Sequence, residues 1–332
     1  MDQQFKAIQA IENCNGIDIN IKNLNIDDLY SGDVLIKILY STINYKDGLA
    51  IEGNKGRIMR KFPIVPGIDF AGIVLESSHR NFVSGDEVIA TGWGLGETHS
   101  GGLSQMAKVK GDWLIKKPQG ITLKNSMSLG TAGLTAMLCV LEFESNFIKP
   151  KDGPVLVTGA SGGVGSASIL LLSNLGYEVI ALTRGVENTQ YLNSLGASQI
   201  IYTNSLDNED KLLSTAKWSA LIDTVGGSIL SNLIPSIKQR GCVAVCGNTA
   251  GVNFTTNVLP FILRGIRLVG IDSNYCSVEK RKIAWNRLSN NINNEKLELI
   301  TKQVGLKDVF SMAKEILLGN IQGRIVVDVN HI

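Results

Sequence analysis

Residues 154–165 read PVLVTGASGGVG, and the fold of the chain turns on how that stretch is taken. Val155, Leu156, Val157 and Thr158 make a short apolar, β-branched run suited to a buried strand, and the apolar run 169–172 that follows within SASILLLSNLG reads as helix. Between them lies a glycine loop. Gly159 and Gly162 permit a sharp turn, Gly162 and Gly163 expose backbone amides, and Gly165 lets the helix approach the strand closely. A loop of this kind at a helix N-terminus holds an anion without any basic side chain, because free N–H groups and the positive end of the dipole face the same point. In the G-x-G-x-x-G pattern the three positions are Ala160, Gly162 and Gly165, so the first glycine is replaced. In a chain with 35 glycines, the strand before and the helix after give the match its weight. The stretch predicts a dinucleotide site, with Ser161 as a capping residue.

Two other readings stand beside it. The turn is also compatible with plain strand-to-helix packing. Gly159, Ala160, Ser161, Gly162 and Gly163 further spell the G-x-S-x-G nucleophile elbow of hydrolases. That chemistry needs a histidine, and of His79, His99 and His331 only the penultimate residue lies downstream.

Outward from the loop, strands and helices alternate. Strands are predicted over 177–183, 199–202, 220–223, 242–246 and 268–271, and helices over 187–195 and 228–238. With the 155–158 strand this makes a six-stranded parallel sheet covered on both faces, the doubly wound Rossmann arrangement of an α/β protein. Upstream, Val34, Ile36, Ile38 and Tyr40 alternate, further strand-like runs fall at 72–75, 87–90 and 106–109, and glycines and prolines interrupt them at short intervals. This reads as a compact β-rich domain. Residues 124–144 read as one or two connecting helices, 278–291 and 306–318 as two more, and 324–329 as a last strand rejoining the first domain. The expected domains are 1–125 with 275–332, and 126–274.

The 332 residues suggest two domains, each able to bury a core. A hydrophobic content of 44%, a charged content of 19% and a net charge of +2 give no reason to expect nucleic acid or an anionic membrane as partner. Apolar stretches such as 134–140 read as too short for a membrane span, and MDQQFKAIQA has no signal-peptide pattern, which together point to the cytoplasm. The five cysteines, Cys14, Cys139, Cys242, Cys246 and Cys276, are scattered without a C-x-x-C pair, so reduced and mostly buried thiols are expected.

In a Rossmann sheet the end of the second strand meets the adenosine ribose, where an acidic residue selects NAD. Here that strand ends in Thr183, Arg184 and Gly185. A hydroxyl and a guanidinium suit a 2′-phosphate, so NADP is favoured over NAD, the alternative being a solvated loop arginine. A zinc alcohol dehydrogenase would need Cys and His ligands, but its ligand regions here hold Ile43, Asn44, Tyr45, Lys46 and Asp47, and Pro66, Gly67, Ile68, Asp69 and Phe70. Asp69 reads as a buried hydrogen-bonding group. Without a Lewis acid, hydride addition to an alkene conjugated to a carbonyl needs only hydrogen-bond donors for the enolate oxygen, which favours activated alkenes or quinones.

On INYKDGLAI, FPIVPGIDFAG, TGWGLGETHSGGLSQMAKVKGDWL, LGTAGLTAMLCV, VLVTGASGGVGS, LIDTVGG, PFILRGIRLVGIDS and IQGRIVV, the chain resembles the zinc-free branch of the medium-chain dehydrogenase/reductase superfamily. More narrowly it resembles the acrylyl-CoA reductase group, also described as YhdH/YhfP-type quinone oxidoreductases. The resemblance spans nearly the whole chain. It implies a GroES-like domain, a Rossmann domain, NADPH, a homodimer and reduction of acrylyl-CoA to propanoyl-CoA. It also implies that Tyr45, Thr131 and Thr135 lie near the nicotinamide and that Ser161, Gly162, Gly163, Val164 and Gly165 hold the pyrophosphate. Thr183, Arg184 and Gly185 would hold the adenosine phosphate; the family often has Ser-Gly-Arg there, so the arginine is displaced by one residue. Cys246, Gly247, Asn248, Ile271, Asp272, Ser273 and Arg324 would line the other side of the cofactor.

Tyr45 carries two readings, a packed tyrosine or a phenol that hydrogen-bonds substrate and relays a proton to Cα. Arg60 and Lys61 are candidates for CoA phosphate contacts or for ordinary surface charge. The functional alternatives are an NADPH-dependent enoyl-thioester reductase, an NADPH:quinone oxidoreductase, and a non-enzymatic NADPH-binding protein.

Overall fold

The computed structural model describes residues 4–206 and 212–332. The first strands are β1 (Phe5–Asn13), β2 (Gly16–Leu24), β3 (Val34–Ile43), β4 (Asp69–Ser77), β5 (Glu87–Thr91), β6 (Met106–Val109) and β7 (Leu114–Lys116). There follow β8 (Val155–Val157), β9 (Val179–Thr183), β10 (Gln199–Tyr202), β11 (Trp218–Asp223), β12 (Ile237–Val245) and β13 (Arg267–Gly270), and near the end β14 (Thr301–Gly305) and β15 (Arg324–Asp328). The helices are α1 (Tyr45–Ile51), α2 (Leu123–Ser145), α3 (Gly163–Asn174), α4 (Thr189–Leu195), α5 (Gly227–Leu233), α6 (Leu259–Arg264), α7 (Val278–Asn291), α8 (Asn294–Ile300) and α9 (Val309–Leu318). The chain forms two compact units, Met1–Thr131 with Asn274–Ser289 and Ile300–Ile332, and Ala132–Ser273 with Asn290–Leu299. Their division falls inside α2, just after a kink at Gly130, rather than near residue 125.

The first unit is built on a sheet of order β14-β15-β3-β4-β5-β7, with β6 also paired to β3 and β1–β2 as a separate hairpin. The alternation read in β3 is real. Val34, Ile36 and Ile38 are fully buried and pack in one cluster with Phe70, Val88, Leu95 and Val327. β15 returns to run antiparallel to β3, with Ile325 opposite Ile43 and Val326 opposite Thr42, so the chain's last strand belongs to this unit. The polar segment of β14 gave no strand signal; it is held as one by parallel pairing with β15.

The second unit is a six-stranded parallel sheet of order β10-β9-β8-β11-β12-β13. The order reverses direction between β8 and β11, the kind of crevice at which Rossmann folds bind ligands. β8 and β9 are buried throughout, as strands covered on both faces are. The helix expected over 228–238 stops at Leu233 because Pro235 cannot continue it, and the chain turns into β12 at Ile237. α6 escaped the sequence reading because Ile262 and Leu263 are exposed, which removes the one-sided periodicity a helix normally shows. α2 is long and apolar enough to cross a membrane by length and composition, a match the reading of shorter apolar stretches missed. Its apolar window is mostly buried within the protein, as that of a core helix is.

Candidate active site

In the second unit, Thr158 at the carboxyl end of β8 donates its hydroxyl to Asp223 Oδ1 (2.7 Å), and the Thr224 amide donates to the same hydroxyl (2.9 Å). The Gly226 amide caps Asp223 Oδ2 at 2.8 Å. These bonds fasten β8 to β11 across the switch point, and the Cys246 amide, donating to Asp223 O at 2.9 Å, adds the end of β12. The Ile271 amide on Val245 O (2.9 Å) adds β13. The carboxyl edge of the sheet thus gathers residues 161–165, 183–185, 246–248 and 271–273 from four separate loops. Burial raises the Asp223 carboxyl above its ordinary range.

Helix α3 begins at Gly163 with Gly162 as N-cap, and no side chain closes its first turn. Ser161 therefore does not cap; it sits one residue too early. The amides of Gly163, Val164 and Gly165 are left with the free donors every helix start carries. Gly165 is required there, since a Cβ on it would lie 2.3 Å from Gly159 O. Thr183 is buried and its hydroxyl accepts from Asn188 Nδ2 at 3.1 Å. Arg184 is exposed and makes no ion pair among the described residues, while the Glu187 carboxylate lies against Gly185.

The first unit carries a buried polar cluster at the start of α1. Asn44, the N-cap of α1, donates its backbone amide to Asp47 Oδ2 (2.8 Å), and its side-chain amide bridges Asp47 Oδ2 (3.1 Å) and Asp69 Oδ2 (2.9 Å). Thr131 is committed to Asp69, with its amide on Oδ2 at 2.8 Å and its hydroxyl on Oδ1 at 2.5 Å. Arg324 lies inside the cluster, 3% exposed, donating to Asn44 Oδ1 (3.0 Å), Thr42 Oγ1 (2.8 Å) and Ser128 O (3.2 Å), with Asp69 Oδ2 at 3.9 Å. The kink in α2 serves this arrangement. Gly130 has φ 51°, and a Cβ there would come within 2.6 Å of Asp69 Oδ2 and 2.9 Å of Arg324 Nη2. Asp69 is thus the buried hydrogen-bonding group expected of it. Asp47, Thr42 and Ser128 were not singled out; the only local sign was the Asn44-x-x-Asp47 capping pattern.

Burial, with the Asp69 charge a smaller cause, pushes the Asp47 carboxyl from 3.8 up to about 7, against the pull of its N–H donors. Between those values the folded protein holds a proton the unfolded chain has released, so stability falls as pH rises from about 4 to about 7 and is level above. Asp47→Asn is expected to flatten this slope, removing about 2–3 kcal/mol of the change between pH 5 and 7. Thermal melts at several pH values check it; an equal slope in parent and variant would exclude Asp47 as its source.

Tyr45 is the first residue of α1 and is 38% exposed. Lys46 beside it reaches the buried Glu97 carboxylate at 2.9 Å. Nearby, the Ile68 amide donates to Asp47 Oδ1 and Ile68 O accepts the Gly92 amide, which ties the turn Gly92, Trp93, Gly94 to α1. Trp93 is in the left-handed region (φ 58°), stacks 4.6 Å from the buried Arg281 guanidinium, and leaves its indole N–H without an acceptor. Sequence reasoning passed over it, since a tryptophan between glycines looks like any loop aromatic. Thr135 lies buried in α2, in the second unit. All five cysteines are free thiols, Cys139 and Cys242 buried and Cys14 exposed.

Among the described residues no three His, Cys, Asp or Glu side chains converge as ligands for a metal ion. The buried carboxylates of Asp47 and Asp69 are instead committed to Asn44, Thr131 and backbone amides, with Arg324 as the neighbouring cation, and the buried Glu97 is paired with Lys46. These residues do not fit a catalytic zinc.

A Rossmann unit with an uncapped glycine cradle at its switch point, in one chain with a β-rich unit of this topology, defines a nucleotide-dependent dehydrogenase or reductase. Residues 30–119 match the alcohol dehydrogenase GroES-like domain and residues 163–290 the zinc-binding dehydrogenase family. Acrylyl-CoA reductase AcuI of Ruegeria pomeroyi is 44% identical over 311 residues, 93% of this chain and 94% of the relative. YhfP of Bacillus subtilis, named as a quinone oxidoreductase, is 44% identical over 98% of this chain and 99% of its own; its crystal structure, with NAD bound, superposes with a TM-score of 0.95. The YhdH oxidoreductase of Salmonella enterica in complex with NADP also has a TM-score of 0.95, at 42% identity over 98% of this chain and 99% of its own. The chain belongs to the medium-chain dehydrogenase/reductase family of oxidoreductases, in the group that includes AcuI, YhdH and YhfP.

Proposed function

We propose that the protein uses NADPH to reduce the 2,3 double bond of acrylyl-CoA, giving propanoyl-CoA, without a metal. The observation that carries the nucleotide half is the uncapped first turn of α3 at the β8–β11 switch point. The amides of Gly163, Val164 and Gly165 bind the pyrophosphate, and Arg184, unpaired by any acid among the described residues, takes the 2′-phosphate. Loops 246–248 and 271–273 flank the same edge. The bound cofactor supplies a hydride to the alkene Cβ. Tyr45 donates a hydrogen bond to the thioester oxygen, where negative charge develops, and serves the proton that reaches Cα. The preference for NADPH is supported by Arg184 and by the NADP in the YhdH complex; the NAD in YhfP is the finding against which it is tested. The names of the relatives support an enoyl thioester first and a quinone second.

We infer that the protein acts as a homodimer in the cytoplasm, on a small-molecule substrate and not on nucleic acid or membrane. β13 is an edge strand with Leu268 exposed, and Val258, Ile262 and Leu263 of the α6 region, shortly before it in sequence, are exposed as well. Light scattering at monomer mass would remove the dimer.

Following NADPH absorbance with acrylyl-CoA, crotonyl-CoA and a small quinone tests the substrate; turnover of the quinone alone would replace the thioester reading with the quinone one. Tyr45→Phe is expected to slow turnover about 10²-fold while NADPH affinity stays at the parent value. Unchanged turnover in stopped-flow assays would take Tyr45 out of the mechanism.

A further inference from the structure

Three residues beyond α1 the sequence 54–61 reads NKGRIMRK, four cations and no acid in a chain whose net charge is only +2. The segment is a fixed shape. Asn54, Gly56 and Arg57 adopt left-handed backbone (φ 51°, 71° and 53°), uncommon for an arginine. The Asn54 side chain closes the loop by donating to Met59 O (2.8 Å) and accepting from the Met59 amide (2.7 Å), and Met59 is anchored among Ala10, Ala50 and Ile64. Lys55, Arg57, Arg60 and Lys61 are left exposed on it.

Their charges are poorly balanced. Lys55, Arg57 and Lys61 have no ion pair among the described residues. Lys61 is instead held 4.1 Å over the Tyr30 ring. Arg60 lies 3.7 Å from Glu97, which already holds Lys46 at 2.9 Å. Glu97 thereby ties the basic loop to the residue next to Tyr45. A ligand reacting at Tyr45 and carrying a polyanionic tail would meet these cations with that tail, whereas a small quinone carries no charge to place there. Ordinary surfaces intersperse both signs; a fixed loop of one sign gains most from a multivalent anion.

We propose that Lys55, Arg57, Arg60 and Lys61 form a subsite for the phosphates of a coenzyme A ester, an inference that rests on the thioester reading above. The test compares acrylyl-CoA with acrylyl-pantetheine, which has the same reacting end and no phosphates, in the parent and in the variant Lys55→Gln, Arg57→Gln, Lys61→Gln, with the KM for NADPH measured alongside. The parent is expected to prefer the CoA ester in kcat/KM by about ten-fold or more, a preference that weakens as salt is raised and that the variant loses through KM. A variant that keeps the preference, or that loses it with an equal rise in the NADPH KM, overturns the subsite. A parent that reduces both thioesters without preferring the CoA ester overturns the subsite alone. A parent that reduces a quinone and neither thioester overturns the substrate reading, and the subsite with it.

Discussion

Asp69→Ala is expected to lower the stability of the protein by about 3–5 kcal/mol, the cost of leaving a buried cation uncompensated. Asp69 and Arg324 are 0% and 3% exposed, and the Asp69 carboxylate accepts from the Thr131 amide and hydroxyl and from Asn44 as well as facing the guanidinium. Removing the carboxylate orphans three donors and a charge together. Burial already pulls the Arg324 guanidinium below its ordinary range, with Asp69 and Asp47 opposing that shift, so the deletion acts on a group held charged by its neighbours. Asp69→Leu with Arg324→Leu should cost clearly less than the two single changes summed, because the pair is removed whole. Chemical denaturation measures both; a loss under about 1 kcal/mol for Asp69→Ala would mean the cluster does not hold this unit together.

Gly165→Val is expected to weaken NADPH binding by about ten- to hundred-fold. Its Cβ would overlap Gly159 O and lie within 2.7 Å of Ala160 Cα, so helix and strand must separate where the amides of the first turn converge. Overpacking of this kind typically costs about 1–3 kcal/mol, and here it falls on the cradle itself. Fluorescence titration with NADPH reads the effect, and a dissociation constant within two-fold of the parent's would mean that the loop is not the pyrophosphate site.

The Rossmann half was legible because its signals are local. A buried parallel strand is a run of apolar residues, and the 155–165 strand and loop state their geometry within a dozen positions. Strand boundaries slipped by a few residues where pairing, not composition, extended the strand, as at Trp218 and Ile237. The capping role of Ser161 failed because helix start is decided to the residue, and Gly162 takes the position one later. The polar cluster of the first unit was scarcely legible at all. Arg324 meets Asn44 across 280 residues of sequence, and only the antiparallel pairing of β15 with β3 brings them together. Arg324 and Thr131 had a family role as cofactor contacts, yet the side chains of both are taken up within this cluster. The kink at Gly130 likewise looks from the sequence like one more glycine in a helix; its need is visible only once Asp69 and Arg324 stand opposite it.

In the proposed reaction, NADPH anchored by its pyrophosphate at the glycine cradle would transfer the nicotinamide hydride to the alkene Cβ. The direct test is turnover of acrylyl-CoA with NADPH deuterated at the transferring position, with the propanoyl-CoA read by mass spectrometry and NMR. One deuterium at C3 and none at C2 is the predicted result. Propanoyl-CoA without deuterium, or turnover supported by NADH in preference to NADPH, would contradict it.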